Sequence, residues 1–101
     1  MTDTMQIAKT IMGQIKAIDI LALGDWGAKD FVAMRDGLKF KTSGAVKWKG
    51  YVYVKYDYGM DLYNVIFGRV RKTEWIVDKE VDGVYAEDLV DIIDGKVLDR
   101  R

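Results

Sequence analysis

The order of periodicities along this chain predicts an α+β fold: an antiparallel sheet of four or five strands, with an N-terminal and a C-terminal helix packed on one face. Three observations carry that reading. Apolar residues recur at helical spacing near both ends, strand-like runs joined by short turns fill the middle, and no proline interrupts either. With 101 residues, half of them hydrophobic, the chain fits a single domain spanning 1–101 with its own core.

The first helix is marked by Ile7, Ile11, Ile15 and Ile18, flanked by Ala8 and Met12. Asp3 and Gln6 have the spacing of a capping box at its start. Gly13 lies inside the pattern and weakens it by about 1 kcal/mol relative to alanine. Residues 19–23 form a short apolar run closed by the turn Gly24-Asp25-Trp26-Gly27. Residues 31–35 and 38–42 flank Asp36-Gly37, which predicts a hairpin with a type I′ turn and therefore positive φ at its centre. Leu38 and Phe40 then face inward, and Lys39 and Lys41 face water.

Residues 42–46 read as a small-residue loop. The clearest strand is 51–56, with Val52, Val54 and Tyr56 on one face and Tyr51, Tyr53 and Lys55 on the other. Gly59-Met60-Asp61 turns the chain into 62–70, its antiparallel partner. Gly59 suits a positive φ, and Asp61 suits hydrogen bonding to backbone amides. Phe67-Gly68 in mid-strand predicts a bulge or an aromatic ring folded over the glycine. Residues 75–81 form a further strand ending at Asp82-Gly83. Residues 86–93 return to helical spacing through Leu89, Ile92 and Ile93, with Glu87 and Asp88 in the first turn and Gly95 as a stop.

The chain has no histidine and no cysteine, and Ser43 is its one serine. Histidine is the usual proton shuttle near neutral pH and cysteine the strongest nucleophile, so catalytic triads, zinc sites and thiol chemistry fall away. Asp25/Asp30 and Asp57/Asp61 flank turns, yet paired-carboxylate chemistry needs a cleft that so small a domain rarely forms. Gly24-x-x-Gly27 lacks the lysine and spacing of a phosphate loop, and no calcium-loop motif occurs. The sequence predicts no catalytic residues, no metal, no cofactor and no enzyme activity. Residues 1–6 lack the pattern of a signal peptide, and no apolar stretch approaches the roughly 20 residues needed to cross a bilayer. A cytoplasmic protein without membrane contact is expected.

Net charge is zero but unevenly placed. From Lys29 to Lys72, ten Lys/Arg oppose four Asp; from Thr73 to Asp99, nine Asp/Glu oppose two Lys. Two candidate faces follow. One is basic and aromatic: Lys39, Lys41, Lys47, Trp48, Lys49, Tyr51, Tyr53 and Lys55, joined by Arg69 and Arg71. Lysines among stacked aromatics on a sheet suit single-stranded nucleic acid, whose bases stack while its phosphates pair. The other is acidic: Glu74, Asp78, Glu80, Asp82, Glu87, Asp88, Asp91 and Asp94. Asp78 and Glu80 are expected on one side of a strand, and Asp88 and Asp91 on one helix face. Both sets also have an ordinary reading as solvated faces.

The stretch Tyr58-Gly59-Met60-Asp61-Leu62-Tyr63-Asn64-Val65-Ile66-Phe67-Gly68-Arg69-Val70 resembles a segment of a family of small uncharacterised proteins of bacterial prophages, phages and mobile elements. Gly27-Ala28-Lys29-Asp30-Phe31-Val32 and Gly83-Val84-Tyr85-Ala86-Glu87-Asp88-Leu89 resemble two further segments of that family, in the same order. The resemblance implies a phage or mobile-element setting and carries no activity or site residue with it. The loop 43–50, with Trp48 between Lys47 and Lys49, is more basic than the family pattern. In such a setting a carboxylate array can imitate a phosphate backbone and antagonise host defence. The expected function is therefore non-enzymatic binding of a host or phage protein through a charged surface, with nucleic-acid binding by the basic, aromatic face as the alternative. Nothing in the spacing selects an oligomeric state.

Overall fold

Ile11 and Ile15 stand one helical turn apart and have no solvent-exposed surface, and they define the face by which the first helix meets the sheet. The computed structural model describes residues 5–99. In it, α1 runs Gln6–Ile18, and Ile18, in its last turn, lies outside the core at 45% exposure. The expected capping box begins on Asp3, outside the described residues; Met5 holds the N-cap position without a side-chain hydrogen bond. The apolar run that follows is no strand. Asp19 leaves the helix extended, its carboxylate accepts the Leu21 N–H at 2.9 Å, and Ala22–Asp25 closes one helical turn, α2.

Five strands follow: β1 (Lys29–Met34), β2 (Gly37–Lys41), β3 (Tyr51–Asp57), β4 (Leu62–Arg71) and β5 (Glu74–Val84). They form one antiparallel meander in the order β1-β2-β3-β4-β5. A short 3-10 turn, Ala86–Asp88, leads into α3 (Leu89–Val97). Gly95 does not stop this helix; it continues one further half-turn so that Val97 reaches the core.

Alternation puts Leu38, Phe40, Val52, Val54, Val65 and Phe67 on one side of the sheet, where they join Ile11 and Ile15 of α1 and Leu89, Val90, Ile93 and Val97 of α3. Both helices therefore cover the same face. Trp26, just after α2, is fully buried and stacks parallel to Phe40 with ring centroids 6.0 Å apart. Its indole N–H donates to the Asp94 carboxylate of α3 at 2.6 Å. The loop between β2 and β3 is anchored as firmly. The buried Thr42 hydroxyl contacts the carbonyls of Trp48 and Gly50, each at 3.2 Å, and accepts the Gly50 N–H at 3.0 Å. The N–H groups of Lys47 and Trp48 both donate to the Val97 carbonyl.

Two turns differ from expectation. Met34 pairs with Gly37, so the first hairpin loop is Arg35-Asp36, and neither these residues nor Gly37 has a left-handed φ. Gly37 serves a different purpose: a Cβ there would lie 2.0 Å from the Val54 carbonyl oxygen. The turn after β3 is held by Asp57, which accepts the N–H groups of Gly59 and Met60, while Asp61 takes the positive φ. The loop with positive φ at both centres joins β4 to β5: Arg71 pairs with Glu74 across Lys72 (φ 52°) and Thr73 (φ 75°). A β-branched threonine in the left-handed region is strained.

Replacing Lys72 and Thr73 together by Asn and Gly is expected to raise stability by about 1 kcal/mol, a melting-point gain of roughly 4–8 °C. Unchanged or lower melting would show that the tip is not strained. Asp94→Ala, which leaves the Trp26 N–H buried without its acceptor, is expected to cost about 1–3 kcal/mol in chemical denaturation.

Candidate nucleic-acid interface

Directly opposed residues of an antiparallel pair share a face, so the register defines what the side of the sheet away from the helices displays. One row runs Lys39, Tyr53, Ile66, Glu80; the next runs Lys41, Tyr51, Gly68, Val77. No helix among the described residues packs on this side. Between Phe67 and Gly68 the register shifts, because Lys79 pairs with Phe67, Val77 pairs with Gly68, and Asp78 is the extra residue. The bulge and the ring over glycine expected at Phe67-Gly68 are both present. The ring is that of Trp75: a Cβ on Gly68 would lie 2.5 Å from its Cζ2.

Trp75 thereby enters the open face beside Tyr51, their ring centroids 6.1 Å apart. The Lys39 ammonium lies 5.1 Å from both ring centroids, and that of Lys41 lies 5.9 Å from the Tyr51 ring. Sequence reasoning left Trp75 out of the basic, aromatic set. Its signal was available in the mid-strand glycine, which requires a large ring from the neighbouring strand, but the sequence does not say whose.

The meander also sorts charge. Every connection reverses the chain, so Lys29, Lys41, Lys49, Arg69, Arg71 and Lys72 collect at one end of the sheet, accompanied by Asp30 and Glu74. The other end holds Asp36, Asp57, Asp61 and Asp82 with Arg35 and Lys55. At the basic end a shallow hollow of about 390 Å³ is lined by Lys41, Lys49, Gly50, Tyr51, Arg69 and Val70. At the acidic end Tyr53 donates its hydroxyl to Asp36, whose carboxylate also lies 3.9 Å from the Lys55 ammonium. Burial, then that hydrogen bond, holds the Tyr53 phenol protonated well above the usual tyrosine range. Tyr53 and Lys55 are thus tied to Asp36, whereas Tyr51 and Lys41 border the hollow.

Trp48 lies on the helical side. Its ring meets Phe67 edge-on at 5.6 Å, the Lys96 ammonium of α3 sits 5.5 Å from its centroid, and its indole N–H donates to Asp78 at 2.9 Å. Arg69 also pairs with Asp78, at 3.1 Å. Lys47 and Lys49, on either side of Trp48, are exposed.

The acidic residues do not form one surface. Asp78 turns to the helical side and Glu80 to the open side, contrary to the plain alternation expected of them, because Asp78 is itself the bulged residue. Asp94 receives the Trp26 indole, Glu74 sits at the basic end, and Glu87, Asp88 and Asp91 are exposed around the start of α3. Asp82 beside it, together with desolvation, pushes the Glu80 carboxyl above the ordinary range against the pull of Lys55.

Among the described residues no three His, Cys, Asp or Glu side chains gather in a group suited to a metal ion, and no helix is long and apolar enough to cross a membrane. Compared with known proteins, the chain matches no family, no curated protein and no solved structure.

The bond from Trp48, then Arg69, holds the Asp78 carboxyl below its ordinary value despite desolvation. A carboxyl that is the stronger acid in the folded state stabilises fully above its unfolded pKa, about 3.9, and loses that contribution as pH falls through it towards the lower native value. Wild type is therefore expected to lose more stability than Asp78→Asn between about pH 6 and about pH 3, read by urea denaturation followed by tryptophan fluorescence. Equal losses in the two proteins would remove Asp78 from the acid response.

Proposed function

We propose that this protein is a non-enzymatic binding module whose open sheet face takes up nucleic acid at its basic end. The observation that carries the reading is the gathering of Lys29, Lys41, Lys49, Arg69, Arg71 and Lys72 at one end of a sheet, next to the Trp75 and Tyr51 rings and a shallow basic hollow. Phosphates neutralised by such a set release counterions, which supplies affinity without chemistry on the ligand. A protein partner bound through the acidic residues is the weaker reading. Asp78 and Asp94 accept indole N–H groups within the fold, and the remaining carboxylates are divided among both sheet faces and α3. The phage or mobile-element setting is proposed on the resemblance of three segments alone.

The test is fluorescence anisotropy with labelled single- and double-stranded oligonucleotides across a salt series. Affinity is expected to fall about ten- to hundredfold between about 50 and 200 mM salt, as for three or four neutralised phosphates. Replacing Lys41, Arg71 and Lys72 together by alanine is expected to flatten the log–log slope by roughly two. Absence of binding at low salt, or a slope untouched by the triple variant, would refute the reading.

A further inference from the structure

We infer that the nucleic acid taken up here is single-stranded, with a base stacked on Trp75 beside Tyr51 and an adjoining phosphate in the hollow by Lys41 and Lys49; this rests on the nucleic-acid reading above. The argument begins with Trp75. Trp75 lies on the side of the sheet no helix reaches and remains 39% exposed. Its position is nonetheless set: Gly68 leaves room for the ring, and Tyr51 borders it. Preset rings lose little conformational freedom when a base settles on them.

A duplex keeps its base faces inside the stack and presents phosphates and groove edges, so it has nothing to place on an aromatic face. A single strand exposes base faces, and every base has one. Charge around the rings fits the same ligand. The Lys39 ammonium lies 5.1 Å from both ring centroids, which puts a cation within reach of the phosphate of a base settled on Trp75. Tyr51 and Lys41 belong both to the aromatic pair's surroundings and to the hollow, so base and backbone subsites are contiguous. Arg69 also borders the hollow, with its guanidinium paired to Asp78.

Three probes of equal length separate the terms: a single strand, its duplex, and a single strand with abasic sites through its centre. The intact single strand is expected to bind best and to quench tryptophan fluorescence. The abasic strand, with the same phosphates, is expected to bind about five- to hundredfold more weakly. Trp75→Ala should impose a similar loss on the intact strand and none on the abasic strand, with the salt slope unchanged, while Trp75→Phe should retain most of the affinity. Because the abasic comparison needs no variant, a folding defect in Trp75→Ala leaves the test standing. Duplex bound as tightly as single strand, or abasic strand bound as tightly as intact strand, would overturn this inference and leave the nucleic-acid reading in place. No salt-sensitive binding of any probe would overturn both.

Discussion

An indole N–H taken out of water must find an acceptor or cost about 1–3 kcal/mol; the buried Trp26 meets that demand in the core, and the half-buried Trp48 makes a second such bond nearer the surface. Trp26 donates to Asp94, which ties the segment after α2 to α3 across the centre of the core. Trp48 donates to Asp78, which ties the β2–β3 loop to the edge strand β5. Together with the bonds from Lys47 and Trp48 to Val97, these clasps hold loop and helix over one face of the sheet. The opposite face is left with no layer on it, and its residues are the ones that solvent and ligands meet.

The same clasps change the meaning of the charge pattern. Along the chain, a basic middle precedes an acidic end, as though two oppositely charged lobes were present. In the fold, two of those carboxylates are acceptors for indoles, and the rest are scattered. What replaces the linear asymmetry is a polarity along the strands. An antiparallel meander alternates the end at which each connection lies, so cations distant in sequence, such as Lys29, Lys49 and Lys72, come to the same end of the sheet.

A single extra residue in β5 gives the open face its aromatic character. Without the shift at Phe67/Gly68, strict alternation would put Asp78 and Glu80 on one side; with it, Asp78 turns to Trp48 and Arg69 while Glu80 remains on the open side. Bulges commonly re-aim side chains near functional surfaces, and here the re-aimed residues are an aspartate that anchors a loop and a tryptophan laid over a glycine. Beyond the bulge the β4–β5 hairpin is exposed through its tip, where Lys72 and Thr73 adopt left-handed backbone. The strain and the positive charge of the molecule's basic end meet at this tip.

Period and turn chemistry are local properties, and they were enough to assign both long helices, the hairpins, the inward set Leu38, Phe40, Val52 and Val54, and the bulge at Gly68. They failed where a residue's role depends on a partner remote in sequence. Gly95 stayed inside α3, where Val97 beyond it packs in the core, and Gly37 lies in β2 rather than in the turn, against the Val54 carbonyl. Within single strands the candidate surface was legible as well, with Lys39 and Lys41 turned away from the core and Tyr51, Tyr53 and Lys55 on one side. That Trp48 and Asp78 are tied together on the helical side, and that Trp75 stands beside Tyr51, were decided by pairing register, since a one-residue shift exchanges the two sides of a strand and the glycine that marks the shift does not say which residue of the neighbouring strand is the extra one.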